Sequence, residues 1–140
     1  MAEAAKIAVY RAAWTRLNNA TGAGTSIYQD YVPENRTRPY LLMQTQSDVE
    51  RNFHTRQQDP DFVLLVKAVS DDVDEARTIA QQALELLDDQ GEQDKGGLSG
   101  GPDWYLLKAM VEEHIDTNYK VGTTRIFEEG FQIRITLQEK

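Results

Sequence analysis

The segment 62-FVLLVKAVSDDVDEARTIAQQALELLD-88 decides the fold, because it joins the most apolar stretch of the chain to its clearest helical pattern. Residues 62–69 are apolar and rich in valine and leucine, which predicts a strand. Residues 72–88 carry apolar side chains at three- and four-residue spacing, which predicts a helix with one buried side. That side consists of Val73, Ala76, Ile79, Ala80, Ala83, Leu86 and Leu87. Asp72 and Glu75 have the spacing of a capping box at its start.

The residues before this segment predict one more helix and two strands. Residues 3–18 read as a helix whose apolar positions are Ile7, Tyr10, Trp14 and Leu17. The run 18–24 contains two glycines and ends that helix. A short strand at 26–29 follows, and a second strand begins at 40–43 after a polar loop between Pro33 and Pro39.

The second strand becomes polar after Met43, where Val49 and Phe53 are the large apolar residues of positions 44–58. Asp59, Pro60 and Asp61 then predict a turn back into the apolar strand. This pattern favours a long hairpin with a buried base and a polar arm in solvent. A disordered loop is the alternative interpretation.

The C-terminal part predicts a Gly-rich polar connector at 90–102 and two strands, at 104–115 and 124–138, joined near 117–122. In the last strand Phe131, Ile133, Ile135 and Leu137 alternate with polar residues, so one of its faces is buried. The element order α-β-β-β-α-β-β predicts an α+β fold, with both helices on one face of an antiparallel or mixed sheet. A chain of 140 residues is expected to form a single domain, 1–140.

The charge is unevenly distributed along the chain. The net charge is −8, and residues 71–94 alone hold nine acidic residues and one basic residue. Such a segment repels phosphate, so tight nucleic-acid binding is not expected. The chain has no cysteine, no apolar run long enough to span a membrane and no signal-peptide pattern at its start, which together fit synthesis in a reducing cytoplasm.

Residues 97–101, Gly-Leu-Ser-Gly-Gly, match the G-x-S-x-G pattern of serine hydrolases. That motif needs a strand before the serine and a helix after it, whereas Ser99 lies in a connector between a helix and a strand. We therefore expect no enzymatic activity. His54 and His114 are interpreted as ordinary strand residues, and Trp14 and Trp104 as core residues.

No cofactor or metal site is expected either. The acidic residues at 71–75 are explained by helix capping and lack the spacing of a calcium loop. Without cysteine, and with two histidines sixty residues apart, the zinc motifs are also excluded.

The layout of these elements resembles a known family. An Ala-rich helix precedes 27-IYQDYVP-33, a second strand opens as 38-RPYLLM-43, and 62-FVLLVKAVS-70 runs into the helix containing 75-EARTIA-80. The chain closes with the strand 131-FQIRI-135. In these features it is similar to the tail-terminator, or tail-completion, proteins of long-tailed bacteriophages.

The resemblance implies a structural protein without catalytic residues. Members of that family form a ring, usually hexameric, that caps the finished tail tube, stops its polymerisation and joins the tail to the head connector. The implied partners are further copies of the chain, the tail tube protein and the connector or neck proteins. Genomic DNA would pass through the pore without tight binding. The implied location is the tail–neck region of the virion, assembled in the host cytoplasm.

Two other functions remain open at this point. One is an adaptor of the phage neck on the head side, and the other is a small α+β ligand-binding or regulatory domain. For all three functions, the polar arm is the segment whose composition is least typical of a hydrophobic core and most typical of an interface. Its Arg51, Phe53, His54 and Arg56 are therefore the candidate protein-interface residues, since aromatic residues and arginine are enriched at interface hot spots.

Overall fold

The structure, a computed structural model, describes residues 5–34, 36–49, 61–88 and 104–139. These residues form two helices and five strands. In chain order they are α1 (Ala5–Leu17), β1 (Ile27–Gln29), β2 (Tyr40–Val49), β3 (Asp61–Ser70), α2 (Val73–Leu87), β4 (Trp104–Val121) and β5 (Thr124–Glu139).

The described strands form one mixed sheet in the order β1-β2-β3-β5-β4. β1 runs parallel to β2, whereas the β2–β3, β3–β5 and β4–β5 pairs are antiparallel. The predicted α+β class, with two helices and a mixed sheet, is confirmed.

The core lies between both helices and one face of the sheet. Alternate residues of the central strands, such as Leu64 and Val66 in β3 and Ile133 and Ile135 in β5, are fully buried there. Buried residues of both helices, such as Leu17 and Ile79, belong to the same cluster. Both helices therefore cover a single face, as the alternation in residues 131–137 predicts.

The start of α2 is capped in a way that differs from the predicted capping box. Asp72 is the N-cap, and its side chain accepts a hydrogen bond from the Asp74 backbone N–H at 3.0 Å. Glu75 does not reach back to the Asp72 backbone; its carboxylate accepts from Ser70 Oγ at 2.6 Å. Ser70 Oγ in turn accepts from the Asp72 N–H at 3.1 Å. The Ser70 hydroxyl thus connects the Asp72 N–H to the Glu75 carboxylate, which a capping box would join directly.

The prediction for the buried side of α1 is wrong at two positions. Ile7 is 57% exposed and Trp14 is 40% exposed. The helix buries a side composed mainly of small residues, namely Ala8, Val9, Tyr10, Ala12, Ala13 and Leu17. Alanines let the helix approach its neighbours closely, and the two large residues, seven positions apart, lie together on the opposite side. Trp14 is therefore not a core residue, whereas Trp104 is buried as predicted.

β2 and β3 pair as a hairpin from Tyr40↔Val69 out to Val49↔Asp61. Of the predicted arm at 44–58, residues 44–49 belong to β2 and residues 50–58 lie outside the described residues. The candidate interface residues Arg51, Phe53, His54 and Arg56 are among the latter. The solvent-exposed arm stays a prediction. The connector that contains Ser99 also lies outside the described residues.

The β4–β5 hairpin is longer than predicted. Its strands pair as far as Val121↔Thr124, and the turn contains Gly122 with a positive φ of 62°. The partner strand β3 ends its pairing at Ser70↔Phe127, so the end of the hairpin continues as two strands. Polar cross-strand contacts extend into this end, where Arg125 donates to Asn118 Oδ1 at 2.6 Å.

The sheet curls at this end. Burial and then the nearby Tyr119 raise the pKa of Tyr40 above its ordinary value. Two strands, β5 and β3, separate β4 from β2 in the sheet order. An electrostatic influence of Tyr119 on Tyr40 across two intervening strands agrees with this curl.

Candidate interaction surfaces

The exposed side of α1 and the residue Tyr31 form an apolar surface, here named the α1 patch and defined as Ile7, Arg11, Trp14 and Tyr31. A shallow depression of about 280 Å³ lies between Ile7, Tyr10, Arg11, Trp14 and Gln29. A second depression of about 290 Å³ adjoins it, with Trp14 and Gln29 in both walls and Tyr31 at its far side. Large exposed apolar residues gathered in this way are typical of protein interaction sites.

A partly buried hydrogen-bond network fixes the floor of the α1 patch. Tyr10 Oη donates to Asp30 Oδ1 at 2.7 Å and accepts from the Thr45 backbone N–H at 2.8 Å and from Thr45 Oγ1 at 2.7 Å. Burial raises the pKa of Tyr10 above its ordinary value, so the phenol stays neutral. One side chain of α1 thus ties together the end of β1 and the middle of β2.

Backbone geometry after β1 projects Tyr31 outwards. Asp30 has a left-handed φ of 67°, and its N–H donates to the Met43 carbonyl at 2.8 Å. The Tyr31 N–H donates back to the Gln29 carbonyl at 2.7 Å. This tight turn leaves the Tyr31 side chain 72% exposed, beside Trp14.

A second surface, here named the α2–β4 groove, opens on the other side of the helix layer. It has a volume of about 340 Å³ and lies between the exposed side of α2 and the middle of β4 and β5. Its walls consist of Arg77, Ala80, Gln81 and Leu84 on α2, His114, Ile115 and Asp116 on β4, and Glu129, Gly130 and Phe131 on β5.

The groove contains a pair of acidic side chains. Asp116 and Glu129 lie opposite each other in the β4–β5 register, and Glu129 is buried. Burial, followed by the hydrogen bond with Asp116, raises the pKa of Glu129 above its ordinary value. Arg77 Nε lies 3.3 Å from Glu129 Oε1 and partly opposes this shift. The groove therefore combines a polar, acidic end with the apolar side chains of Leu84, Ile115 and Phe131.

The described residues contain no cluster of three His, Cys, Asp or Glu side chains that could hold a metal ion. Neither described helix is long and apolar enough to cross a membrane. His114 lies in a strand, as predicted, and lines the groove.

The surfaces seen here were not found by sequence reasoning. The α1 patch uses Ile7 and Trp14, which the spacing had assigned to the core. A signal was available, since α1 is apolar around most of its circumference and a helix of that kind buries more than one side. The groove combines residues from α2, β4 and β5, so no local pattern in the sequence marks it.

Comparisons with known proteins bear on the fold. No protein-family model matches the sequence, and no curated protein matches it. Among solved structures, the fold is similar to a chain in the virion of a native gene transfer agent (GTA) particle. The match has a TM-score of 0.65 at 14% sequence identity and covers 96% of this chain and 99% of that chain. At this identity the likeness establishes a shared fold over nearly the full length of both chains.

Proposed function

We propose that this protein is a structural component of a phage-like virion and, within that class, a tail terminator. The observation that carries the proposal is the fold match to a chain of a GTA virion, which extends over nearly all of both chains. The resemblance of the sequence layout to tail-terminator proteins supports the narrower assignment.

In this role the protein forms a ring, hexameric by analogy with the family, that caps the tail tube. A ring requires two different complementary surfaces on each subunit, because a head-to-tail contact must repeat around the axis. The α1 patch and the α2–β4 groove are two such surfaces with different shapes and chemistry. Their presence supports a self-assembling subunit.

The charge also suits a subunit through which DNA passes. The acidic residues of α2 and its flanks, including Asp72, Asp74 and Glu85, are exposed. Negative surface repels the phosphate backbone, so DNA would move through the ring without binding tightly. At physiological salt we expect no retention on a DNA column.

The arm is proposed to contact the tail tube or the connector through Arg51, Phe53, His54 and Arg56. The double variant Arg51→Ala/Phe53→Ala should keep the melting temperature of the wild type and lose binding to the tail tube. A variant that melts far earlier would place Phe53 in the core instead, and one that binds normally would remove the arm from the interface.

The function is tested by polymerising the purified tail tube protein with and without this protein and measuring tube length by electron microscopy. A tail terminator should bind one end of each tube and stop its growth at sub-stoichiometric amounts. A head-side neck adaptor should bind the portal-side connector and leave tube length unchanged. A small ligand-binding domain should remain monomeric and bind neither particle.

A further inference from the structure

The two helices cover the sheet unevenly, which leaves the α1 patch and the α2–β4 groove at opposite edges. α1 packs against β1 and α2, and α2 packs against β3 and β5. Since the strand order is β1-β2-β3-β5-β4, α1 lies towards the β1 edge and the groove towards the β4 edge. A second copy of the chain could therefore present its α1 to the groove without competing with the α1 already in place.

The charges of the two surfaces are complementary. α1 has no acidic residue, and its Arg11 lies in the α1 patch beside Ile7 and Trp14. Arg16 lies on the side of the helix towards α2, where its Nε donates to the Leu86 carbonyl at 3.3 Å. Among the residues that line the groove, Asp116 and Glu129 are acidic and Arg77 carries a guanidinium group. Complementary charge of this kind steers encounter and fixes register between partners.

The apolar parts also correspond. The α1 patch offers Ile7 and Trp14, and the groove offers apolar walls at Leu84 and Phe131. A tryptophan seated in a groove next to a salt-bridged rim is a common form of interface hot spot.

We propose that the α1 patch of one copy binds in the α2–β4 groove of the next copy. This contact rests on the ring-forming role proposed above and identifies the residues that make it. Because the two surfaces differ, the contact is head-to-tail and repeats until the ring closes. The incoming α1 lies beside α2 and extends the helix layer from one subunit to the next.

A mixing experiment tests the contact. The patch variant Ile7→Glu/Trp14→Ala and the groove variant Gln81→Lys/Asp116→Arg change exposed side chains, so both should fold with unchanged circular dichroism. Each alone should be monomeric by light scattering, with self-association weakened at least about 30-fold. A one-to-one mixture should form heterodimers and nothing larger, because only one intact patch and one intact groove remain for each pair.

The matched control is Val121→Glu, which alters an equally exposed apolar residue at the end of the β4–β5 hairpin and should assemble like the wild type. Wild-type assembly by either double variant, or a mixture that stays monomeric, would overturn the proposed contact. A wild-type protein that stays monomeric both alone and with purified tail tubes would instead overturn the proposed function.

Cross-linking gives a second test that does not depend on disrupting the contact. The chain has no native cysteine, so Ile7→Cys and Gln81→Cys introduce unique thiols. With a short bis-maleimide, the double-cysteine variant should give a ladder up to the ring number. Each single variant should stay uncoupled, and the two mixed should give dimers. Dimers of the Ile7→Cys variant alone would indicate a patch-to-patch contact and contradict the proposal.

Discussion

The two helices of this protein are similar in length, 13 residues in α1 and 15 in α2, but they are built differently. α2 has one apolar side, which it buries through Ala76, Ile79, Ala83 and Leu87, and its other side is polar or charged. α1 buries a side on which three of the six residues are alanines, and it exposes Ile7 and Trp14 on the other. α2 buries its main apolar side within the protein and leaves Leu84 half-buried at the groove, whereas α1 leaves Ile7 and Trp14 exposed.

This difference separates two tasks that a helix can perform. The alanine-rich side of α1 gives close packing at little cost in side-chain entropy. Its large apolar residues, Ile7 and Trp14, stay exposed, and the proposed contact with a second copy would cover them. The prediction that follows is that residues on the two sides of α1 respond differently to substitution, one set through stability and the other through assembly.

The largest loss of stability is expected at Gly130 in the buried part of the sheet, where β5 passes close to β3. A Cβ at this position would lie 2.0 Å from the Val66 carbonyl oxygen and 2.9 Å from Lys67 Cα. Both contacts involve backbone atoms, so no rotamer change can relieve them. Gly130→Ala should lower the free energy of unfolding by about 4 kcal/mol or more, or prevent folding.

Gly122→Ala provides the control for this substitution. Gly122 has a φ of 62° and open space around it, so alanine there costs only the left-handed backbone penalty of about 1–2 kcal/mol. Urea unfolding of both variants measures the difference. Equal losses would show that the strands do not approach each other so closely at Gly130.

The two sides of α1 are compared directly by Leu17→Ala and Trp14→Ala. Leu17 is fully buried, so its truncation should cost roughly 2–5 kcal/mol. Trp14 is the larger side chain, yet its truncation should cost less than about 1 kcal/mol in the monomer because it is partly exposed. The check is urea unfolding at concentrations where the protein is monomeric, and a reversed order of the two losses would return Trp14 to the core.

Tyr10→Phe tests the hydrogen-bond network at the boundary between the buried and the exposed side of α1. The change removes a donor to Asp30 and the acceptor for both the N–H and the hydroxyl of Thr45. We expect a loss of about 1–2 kcal/mol, because partly buried groups lose their partners. Tyr31→Phe, at an exposed phenol, should stay within about 0.5 kcal/mol. If both variants unfold alike, the network does not fix the floor of the α1 patch.

The smallest expected effect concerns pH and the groove beside α2. The raised pKa of Glu129 means that the folded state favours the protonated carboxyl more than the unfolded state does. The free energy of unfolding therefore falls as pH rises through that pKa, above the ordinary value of 4.5. Glu129→Gln should remove this fall, so its stability relative to wild type should increase between pH 4.5 and neutrality. A pH-independent difference in urea midpoint would contradict the raised pKa of Glu129.

Much of the fold follows from local patterns in the sequence. The stripe in α2 and the alternation in β5 identify their buried sides, because each has one apolar face and one polar face. The apolar run at 62–69 likewise gives β3, which is buried along most of its length. In α2 and β5 the difference in polarity between the two faces is large enough to predict which face is buried.

The interaction surfaces could not be obtained in the same way. In α1 the two faces differ little in hydrophobicity. The larger apolar residues, Ile7 and Trp14, were expected in the core, but the smaller Ala8 and Ala13 are buried there instead. The groove depends on how α2, β4 and β5 lie relative to one another, which no local pattern encodes. The length of β4 was also underestimated, because its last residues are polar and are held by cross-strand pairing with β5.

The most direct test of the central claim is native mass spectrometry of the wild type and of Trp14→Ala over the same concentration range. We expect a single closed oligomer for the wild type. For Trp14→Ala we expect a monomer that is as stable as the wild-type monomer, since the side chain would act between subunits and not within one. Identical oligomers for both proteins, or a Trp14→Ala protein that loses stability as Leu17→Ala does, would contradict the assignment of the outer side of α1 to assembly.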